Sequence, residues 1–351
     1  MSRGLGDVYK RQVVKSNAYG HGLYAFTKLL AGFGIDGFCV DSIVEGLALR
    51  KNGIKKPILV LGPTLPSLYP AAAKNKVAIS ISNFEALKAL LKAKIVPEFH
   101  IKVDTGFHRQ GFYLEDLPRV AKLISSHKDV KSRLTGLFTH FSSAKDVNYP
   151  SYTEHQFATF MKAAKIFEKA GFKNLVKHAA ATSGTLVNPK YHLDAVRVGI
   201  GLYGLWPSKE LEVQLGHKIK LKPVLSWHTV VTEVKKLKAG DYVGYDMAER
   251  VPKDMQMAIL PLGYWHGFSR ALSNGAGEVL LNGRRARVLG RVSMDLVAIA
   301  PGGRVRPGDI ATLIGRDGKE EIFAWEIAQK SGTINYEIVT RLNPLMERIL
   351  I

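Results

Sequence analysis

A lysine that ends an apolar run, with a glycine-rich segment directly after it, is the first arrangement in this sequence that could carry out chemistry. Lys15 closes the run Val13-Val14-Lys15, and residues 16–22 read Ser-Asn-Ala-Tyr-Gly-His-Gly. Taken alone, such a lysine is more often a surface side chain whose stem covers apolar neighbours. At the buried mouth of a barrel, however, a lysine becomes a nucleophile that forms Schiff bases with carbonyl compounds. The neighbouring glycines allow the backbone to approach a flat ligand closely.

Polar side chains also stand at the ends of four later apolar runs. They are Lys102 with Arg109 in the loop beyond it, His140, the segment Ala181-Thr182-Ser183-Gly184, and Arg197 followed by Val198-Gly199-Ile200-Gly201. A lone histidine such as His140 is more often a hydrogen-bonded core residue than a catalytic one. Hydroxyl groups and glycines after the last two strands of a barrel, by contrast, bind phosphate through short side chains and backbone N–H groups. The sequence therefore predicts a phosphate site in segments 181–184 and 199–201, while the direction of the Arg197 side chain stays open.

Strand ends that share a site need a scaffold, and the first part of the chain predicts a barrel. Eight short β-rich apolar runs alternate with helical patterns, at residues 13–15, 37–40, 57–61, 77–80, 99–103, 136–140, 176–180 and 195–198. Asn83, for example, precedes Phe84, Leu87 and Leu90 at helical spacing. Alternating strands and helices indicate a parallel α/β sheet, and eight such units favour a (β/α)8 TIM-type barrel over an open sheet.

After Trp206-Pro207 the sequence changes character, because turn dipeptides become frequent. They are Gly240-Asp241, Asn274-Gly275, Asn282-Gly283, Pro307-Gly308 and Asp317-Gly318. Short strands between such turns predict a mostly antiparallel β domain, with one helix near residues 324–331. We place the boundary near residue 212, which gives a barrel domain, 1–212, and a β domain, 213–351.

Length and composition fit two packed domains and exclude several classes of protein. The chain has 351 residues, of which 46% are hydrophobic and 23% are charged, so it is not a disordered chain, and its single cysteine, Cys39, excludes a disulfide scaffold. No window is apolar enough for a membrane helix, and residues 1–12 contain no secretory signal, so we expect a cytoplasmic protein without membrane partners. The formal net charge is +20, but the lysines and arginines are spread along the chain, which argues against a nucleic-acid partner.

Eight sequence blocks occur in the order of one known family. They are residues 13–22, 102–106 (Lys-Val-Asp-Thr-Gly), 139–141 (Thr-His-Phe), 197–204, 243–245 (Val-Gly-Tyr), 260–264, 290–295 and 333–337 (Thr-Ile-Asn-Tyr-Glu). With these blocks the sequence resembles the alanine racemases, pyridoxal-phosphate enzymes of fold type III. The resemblance implies an isomerase that interconverts L- and D-alanine, forms a homodimer with shared active sites, and supplies D-alanine for the peptidoglycan of the cell wall.

The resemblance assigns the movement of the substrate proton to two residues. Lys15 would hold pyridoxal phosphate and act as one acid/base group, and Tyr245 of the other subunit would act as the second from the opposite face. Racemisation needs such a pair, because a proton removed from one face and returned on the other inverts the centre. Arg197 would contact the pyridine nitrogen and keep it unprotonated. His140 would join Tyr245 to Arg197 by hydrogen bonds.

The remaining implied roles concern binding. The phosphate ligands would be Tyr19, Thr182 and the backbone of Gly199 and Ile200. The substrate carboxylate would meet Arg109 and the backbone of Met294 from the other subunit, and Tyr264 would line the entrance. Lys102 corresponds to a lysine that can be carbamylated in the family to hold the arginine matching Arg109. No metal is implied.

The sequence departs from the family at three places. Residues 1–12 match nothing in the chain that the family carries before its first barrel strand, so we expect the barrel to be truncated at its N-terminus. Thr182 and Ala181 stand where the family usually has serine and asparagine, which preserves the hydroxyl group. Pro344 stands where the family often has a phosphate-binding tyrosine, so we expect weaker cofactor binding or another donor in its place.

Two other functions fit part of the same pattern. A racemase of broader specificity, acting on serine or lysine, would differ in the size of the pocket near Tyr264 and Met294. A non-catalytic barrel protein that only binds pyridoxal phosphate would lack the β domain and Tyr245, so residues 213–351 argue against it.

Overall fold

The structure, a computed structural model, describes residues 8–351, and the chain divides into two compact units. The first contains the chain up to Ala18 together with Leu23–Lys222, and the second contains Tyr19–Gly22 and Pro223–Ile351. Residue 212, where we placed the boundary, lies inside a helix, Lys209–Leu215, that belongs to the first unit. The division therefore falls later in the chain than expected, and the segment Tyr19–Gly22 groups with the second unit instead of the barrel.

Eight parallel strands form the centre of the first unit. They are β1 (Tyr9–Val13), β2 (Gly37–Val40), β3 (Ile58–Val60), β4 (Val77–Ile81), β5 (Phe99–Lys102), β6 (Leu134–Phe138), β7 (Val176–His178) and β8 (Ala195–Val198). Each strand from β1 to β6 pairs with the next, and β8 pairs with β1. A parallel bridge between Ala181 and Arg197 joins the end of β7 to β8. The sheet therefore returns on itself, and the predicted barrel is confirmed.

The first strand begins earlier than the sequence indicated. The predicted run was 13–15, but β1 starts at Tyr9 and already pairs with β8, with Arg11 opposite Arg197. Residues aligned across neighbouring parallel strands point to the same face, so these two arginines share the inner face of the barrel. Residues 1–7, part of the segment that we expected to be truncated, lie outside the described residues.

Helices follow most of the strands. They are the left-handed turn α1 (Lys15–Tyr19), α2 (Leu23–Ala31), α3 (Ile43–Lys51), α4 (Tyr69–Lys74), α5 (Phe84–Leu91), α6 (Leu117–Ser125), α7 (Lys128–Lys131), α8 (Ser151–Lys169), α9 (Thr182–Val187) and α10 (Lys209–Leu215). The predicted start of α5 is confirmed, because Asn83 Oδ1 accepts a hydrogen bond of 2.8 Å from Ala86 N. In α6, Leu117, Val120 and Ile124 lie buried on one face, which is the spacing of a helix that packs on a sheet.

The second unit is built from short antiparallel strands. They are β9 (Trp227–Val230), β10 (Glu233–Leu237), β11 (Tyr242–Val243), β12 (Glu249–Arg250), β13 (Met255–Leu260), β14 (Glu278–Leu281), β15 (Arg284–Leu289), β16 (Val297–Ala300), β17 (Ile310–Asp317) and β18 (Glu320–Ile322). The main sheet has the order β10-β13-β16-β15-β14-β17-β18, and β9 pairs with β17. Two helices follow, α11 (Ala324–Lys330), near the predicted position, and α12 (Asn335–Thr340). Within residues 8–351, no helix combines the length and the hydropathy that a bilayer crossing needs.

Candidate active site

Lys15 lies directly after the first barrel strand, at the end of the barrel where such folds hold their substrates. Two buried contacts fix this end of β1: Val14 N donates to the carbonyl of Cys39 over 2.9 Å, and the Tyr203 hydroxyl donates to the carbonyl of Val13 over 2.9 Å. The Lys15 side chain is 37% exposed, and its Nζ lies 3.1 Å from Asp41 Oδ1. The amino group is therefore held on one side and accessible on the other.

The backbone after Lys15 is left-handed. Ser16, Asn17 and Ala18 have φ of 54°, 57° and 52°, and a residue with a Cβ loses about 1–2 kcal/mol in this region. Ala18 N still donates to the carbonyl of Val14 over 2.9 Å, and Asn17 Oδ1 accepts a 2.8 Å hydrogen bond from the first residue of α2. Strain of this kind persists only where the surrounding contacts hold it in place.

The Arg197 side chain points into the barrel, a direction that strand alternation in the sequence could not decide. It is 2% exposed, and its Nη1 donates to His178 Nδ1 over 2.6 Å and to the His178 carbonyl over 2.9 Å. Its Nη2 donates to the carbonyls of Thr139 and Ala179 over 2.6 and 3.0 Å. Burial lowers the pKa of Arg197 to about 10, with Cys39 opposing this shift and the Arg11 charge adding to it. The guanidinium therefore keeps its charge at neutral pH.

The imidazole that contacts Arg197 is not the one that the resemblance implied. His140 was expected to join Arg197 by a hydrogen bond, but among the described residues the ring bonded to Arg197 is that of His178. A guanidinium can only donate, so His178 Nδ1 accepts and its Nε2 carries the hydrogen. That Nε2 lies 2.8 Å from His100 Nδ1, so His178 donates in turn to His100. Burial, and then the nearby arginines, lower the pKa of both histidines well below the usual value, which leaves both rings neutral.

His140 lies after β6, near the charges of Arg197 and Arg109. Among the described residues, its ring makes no hydrogen bond to either arginine. Its ring is tilted against that of Phe107, with the centroids 5.5 Å apart. Burial, followed by the charges of Arg197 and Arg109, lowers the pKa of His140 to about 3. A neutral imidazole at this position can accept or donate a hydrogen bond, but it does not carry charge at neutral pH.

Thr182 organises the loop after β8. Its buried Oγ1 accepts hydrogen bonds from Gly199 N over 3.0 Å and from Gly201 N over 3.3 Å. Because the oxygen accepts both bonds, the hydroxyl hydrogen is the group with which Thr182 can donate. The two backbone N–H groups thus fix the Thr182 hydroxyl, with its hydrogen available to donate, between the two segments where the sequence predicts phosphate binding.

The loop after β5 positions Arg109 through a single carboxylate. Asp104 accepts from the backbone N–H groups of Gly106, Phe107 and His108 on Oδ1, over 2.9, 2.9 and 3.0 Å, and from Arg109 N on Oδ2 over 3.2 Å. The guanidinium of Arg109 lies over the Phe107 ring, 4.2 Å from its centroid. Asp104 therefore fixes the backbone of the loop that carries Arg109. This role accounts for the aspartate in the Lys-Val-Asp-Thr-Gly block.

Lys102 ends β5 and is buried beside that loop. Its Nζ donates to Gln110 Oε1 over 3.0 Å. Burial, followed by the charges of Arg109 and Arg197, lowers the pKa of Lys102 to about 8. The amine of Lys102 therefore loses its proton more readily than that of an ordinary lysine.

The second unit carries Tyr245 at its surface. Tyr245 is 66% exposed and opens a tight turn, Tyr245–Met247, in which Gly244 and Asp246 have φ of 73° and 60°. Such left-handed turns direct one side chain outward at the cost of local strain.

Tyr264 and Met294 are brought together in the same unit. Tyr264 N donates to the Ser293 carbonyl over 3.0 Å, and the next residue, Trp265, donates to the Met294 carbonyl over 3.1 Å. A Cβ on Gly263 would collide with both carbonyls, so only glycine permits this approach. The side chains of Tyr264 and Met294 are both exposed.

Tyr19 packs within the second unit against a tyrosine that the sequence analysis did not single out. Its ring centroid lies 6.1 Å from that of Tyr336, and burial together with the Tyr19 phenol raises the pKa of Tyr336. Tyr336 stands in the Thr-Ile-Asn-Tyr-Glu block, so its position in a motif was the available signal. Asp41 and His178 were also missed; Asp41 was visible only as a residue before a helix cap, and His178 only as part of an apolar run.

Comparisons with known proteins place this arrangement in one family. A family model of the alanine racemase N-terminal domain matches residues 6–207, and a model of the alanine racemase C-terminal domain matches residues 224–350. The alanine racemase of Leptospira interrogans serovar copenhageni is 36% identical over 352 residues, which cover 97% of this chain and 88% of the relative. The alanine racemase of Carboxydothermus hydrogenoformans is 37% identical over 350 residues, with coverage of 97% and 92%.

Solved structures give the same result. Alanine racemase from Bacillus anthracis with bound L-Ala-P has a TM-score of 0.89 at 36% identity and covers 96% of this chain and 86% of its own. Alanine racemase from E. faecalis has a TM-score of 0.87 at 31% identity, with coverage of 99% and 91%. The fold and the site thus define a two-domain barrel isomerase. The chain belongs to the alanine racemase family.

Proposed function

We propose that this protein interconverts L- and D-alanine with pyridoxal phosphate attached to Lys15. The observation that carries the proposal is the arrangement at one end of the barrel: an accessible lysine amine, a charged buried Arg197, and the Thr182 hydroxyl that two backbone N–H groups hold in place. When bound, pyridoxal phosphate supplies an electron sink that makes the Cα–H of an amino acid acidic. The family relationship supports this assignment over a barrel that only binds the cofactor.

The donor set of this chain fits the cofactor. Thr182 and the backbone of Gly199 and Ile200 would hold the phosphate, as short side chains and N–H groups do in barrels, and Tyr19 would add a phenol. Arg197 would face the pyridine nitrogen, where a fixed positive charge keeps that nitrogen free of a proton.

Two bases would move the substrate proton. Lys15 Nζ would take or give the proton on one face, and the phenolic oxygen of Tyr245 would do so on the other, so that the centre is inverted. We infer a homodimer in which Tyr245 and Met294 of each copy complete the site of the other copy, since both side chains are exposed on the second unit. Tyr264, which is held beside Met294, would line the entrance.

Arg109 would bind the substrate carboxylate, and Lys102 would support it as a carbamate. The ammonium of Lys102 first loses one proton, and the neutral amine then adds to carbon dioxide, forming an N–C bond as one C=O π bond breaks and releasing a second proton, so that a cation becomes an anion near Arg109. The pKa of about 8 supports this step, because only the neutral amine reacts. The product D-alanine would serve peptidoglycan synthesis. The buried free thiol of Cys39 is compatible with the cytoplasm as the proposed compartment.

Proton exchange in deuterated water tests the function directly. We expect L-alanine to lose its α-proton signal while D-alanine forms, and we expect serine and lysine to exchange more slowly; equal rates would favour the broad-specificity racemase. Reduction with borohydride followed by peptide mass spectrometry should locate the cofactor on Lys15. Cofactor that remains covalently bound in Lys15→Ala would overturn the assignment.

Tyr245→Phe tests the second base, with Tyr242→Phe as the matched control, since Tyr242 is another exposed tyrosine of the second unit. Tyr245→Phe should keep the cofactor and lose at least about a hundredfold in racemisation, whereas Tyr242→Phe should retain activity. Unchanged racemisation in Tyr245→Phe would remove Tyr245 from the mechanism, and full activity in a monomer would contradict shared sites.

A further inference from the structure

The carboxylate of Glu45 joins the turn that carries Lys15 to the loop that follows β2. Glu45 Oε1 accepts from Asn17 N over 3.3 Å, and Glu45 Oε2 accepts from Asp41 N over 2.9 Å. Asp41 in turn places its Oδ1 3.1 Å from Lys15 Nζ. One side chain therefore fixes the backbone on both sides of the Lys15–Asp41 pair.

Glu45 occupies a position that usually serves its own helix. Ser42 is the N-cap of α3, and its Oγ accepts from Glu45 N over 3.3 Å. A glutamate three residues after such a cap commonly returns a hydrogen bond to the N–H of the capping residue itself. Here the two carboxylate oxygens accept instead from Asn17 N and Asp41 N. Asn17 lies in the turn after β1, whereas Asp41 and Glu45 both follow β2.

The backbone that Glu45 holds is strained. Asn17 has φ of 57°, and a strained backbone persists where its surroundings over-determine it. A carboxylate is a stronger acceptor than a neutral oxygen, so Glu45 is suited to this task. The Lys15–Asp41 ion pair is the weaker constraint, because the two side chains are 37% and 54% exposed and exposed pairs contribute little.

We propose that Glu45 is a positioning residue that holds Lys15 in place for attachment of its cofactor. This inference rests on the proposed role of Lys15, and Glu45 acts on it only through Asn17 and Asp41. In Glu45→Gln one of the two acceptor oxygens becomes a donor and the charge is lost. We therefore expect pyridoxal phosphate to attach to the variant about tenfold more slowly.

The experiment follows attachment without any substrate. Protein freed of cofactor is mixed with pyridoxal phosphate, the absorbance of the protein-bound cofactor gives the rate, and borohydride reduction with peptide mapping confirms Lys15 as the site. Glu85→Gln is the first control, because Glu85 is a first-turn carboxylate of α5, another helix with a side-chain cap. Ser42→Ala is the second control, since it weakens the cap of α3 but leaves the Glu45 carboxylate in place. Both controls should attach the cofactor at the wild-type rate, and thermal melting reports on the fold.

The possible results separate the two proposals. Wild-type protein that is not labelled at Lys15 would overturn the proposed function. Wild type labelled at Lys15, with folded Glu45→Gln labelled equally fast, would overturn the role of Glu45 alone. Equal slowing in Glu45→Gln and Ser42→Ala would assign the effect to the stability of α3 and would also overturn it. If Glu45→Gln does not fold, Glu45→Asp, whose shorter side chain cannot span both N–H groups, is judged by the same criteria.

Discussion

Replacing Lys102 with methionine should remove a pH-dependent penalty from the stability of the barrel. Burial, and after it the charges of Arg109 and Arg197, lower the pKa of Lys102 from 10.5 to about 8. Between these two values the unfolded chain binds more protons than the folded chain, so stability rises with pH across that window and the full penalty is present below pH 8. The lowered pKa corresponds to about 3 kcal/mol, which partial solvent access of the ammonium reduces to about 2 kcal/mol.

The assay is urea unfolding of both proteins at pH 7 and pH 10 in buffer free of carbon dioxide. Losses that do not depend on pH, such as the hydrogen bond from Lys102 to Gln110, cancel when the two pH values are compared. Because Lys102 of the unfolded chain is still mostly protonated at pH 10, wild type should gain about 1–1.5 kcal/mol relative to Lys102→Met between pH 7 and pH 10. A difference between the proteins that stays constant with pH would refute the reasoning. Added bicarbonate should reduce the penalty at pH 7, because a carbamate replaces the buried cation with an anion near Arg109.

Three further predictions follow from contacts in the two units. Thr182→Val leaves two backbone N–H groups without their acceptor and should lower the free energy of unfolding by about 2–4 kcal/mol; inorganic phosphate should restore part of this in denaturant titrations, and an equal loss with and without phosphate would argue against an anion site. Arg285→Met removes ion pairs to three glutamates and should destabilise the second unit by about 1–3 kcal/mol in calorimetry; an unchanged melting temperature would show that the pairs contribute nothing. Gly136→Ala would place a Cβ 2.5 Å from His100 Cε1 and should lower the free energy of unfolding by about 1–3 kcal/mol. Its control is Gly302→Ala, where the nearest atom to the new Cβ is 3.7 Å away. In the same unfolding assay this control should stay within about 0.5 kcal/mol of wild type.

Most of the barrel could be predicted because parallel strands covered by helices read as short apolar runs. β4, for instance, is buried along its whole length. β1 was found only at its end, because Lys10, Arg11 and Gln12 interrupt the run. Arg11 is aligned with Arg197 across the closing pair of strands, a placement that the sequence does not display.

The site could be predicted as far as strand order determines it. Lys15, His140 and Thr182 were named because residues that follow parallel strands gather at one end of a barrel. Which side chains touch there depends on register and rotamers, so the pairing of Asp41 with Lys15 and of His178 with Arg197 had no signal in the sequence. The left-handed backbone after Lys15 was equally hidden, since glycine is the usual marker of that conformation and residues 16–19 contain none.

The surroundings of Arg197 do not make it a stabilising residue. Its hydrogen bonds go to the His178 ring and to three backbone carbonyls, which occupy four of the five N–H groups but do not neutralise the charge. A buried cation compensated in this way costs free energy that an apolar side chain of similar size would not. Yet the pKa remains about 10, so the charge persists, and the backbone carbonyls prevent it from moving away. A permanent positive charge at a fixed point is what the proposed reaction requires beside a ring nitrogen that must stay unprotonated.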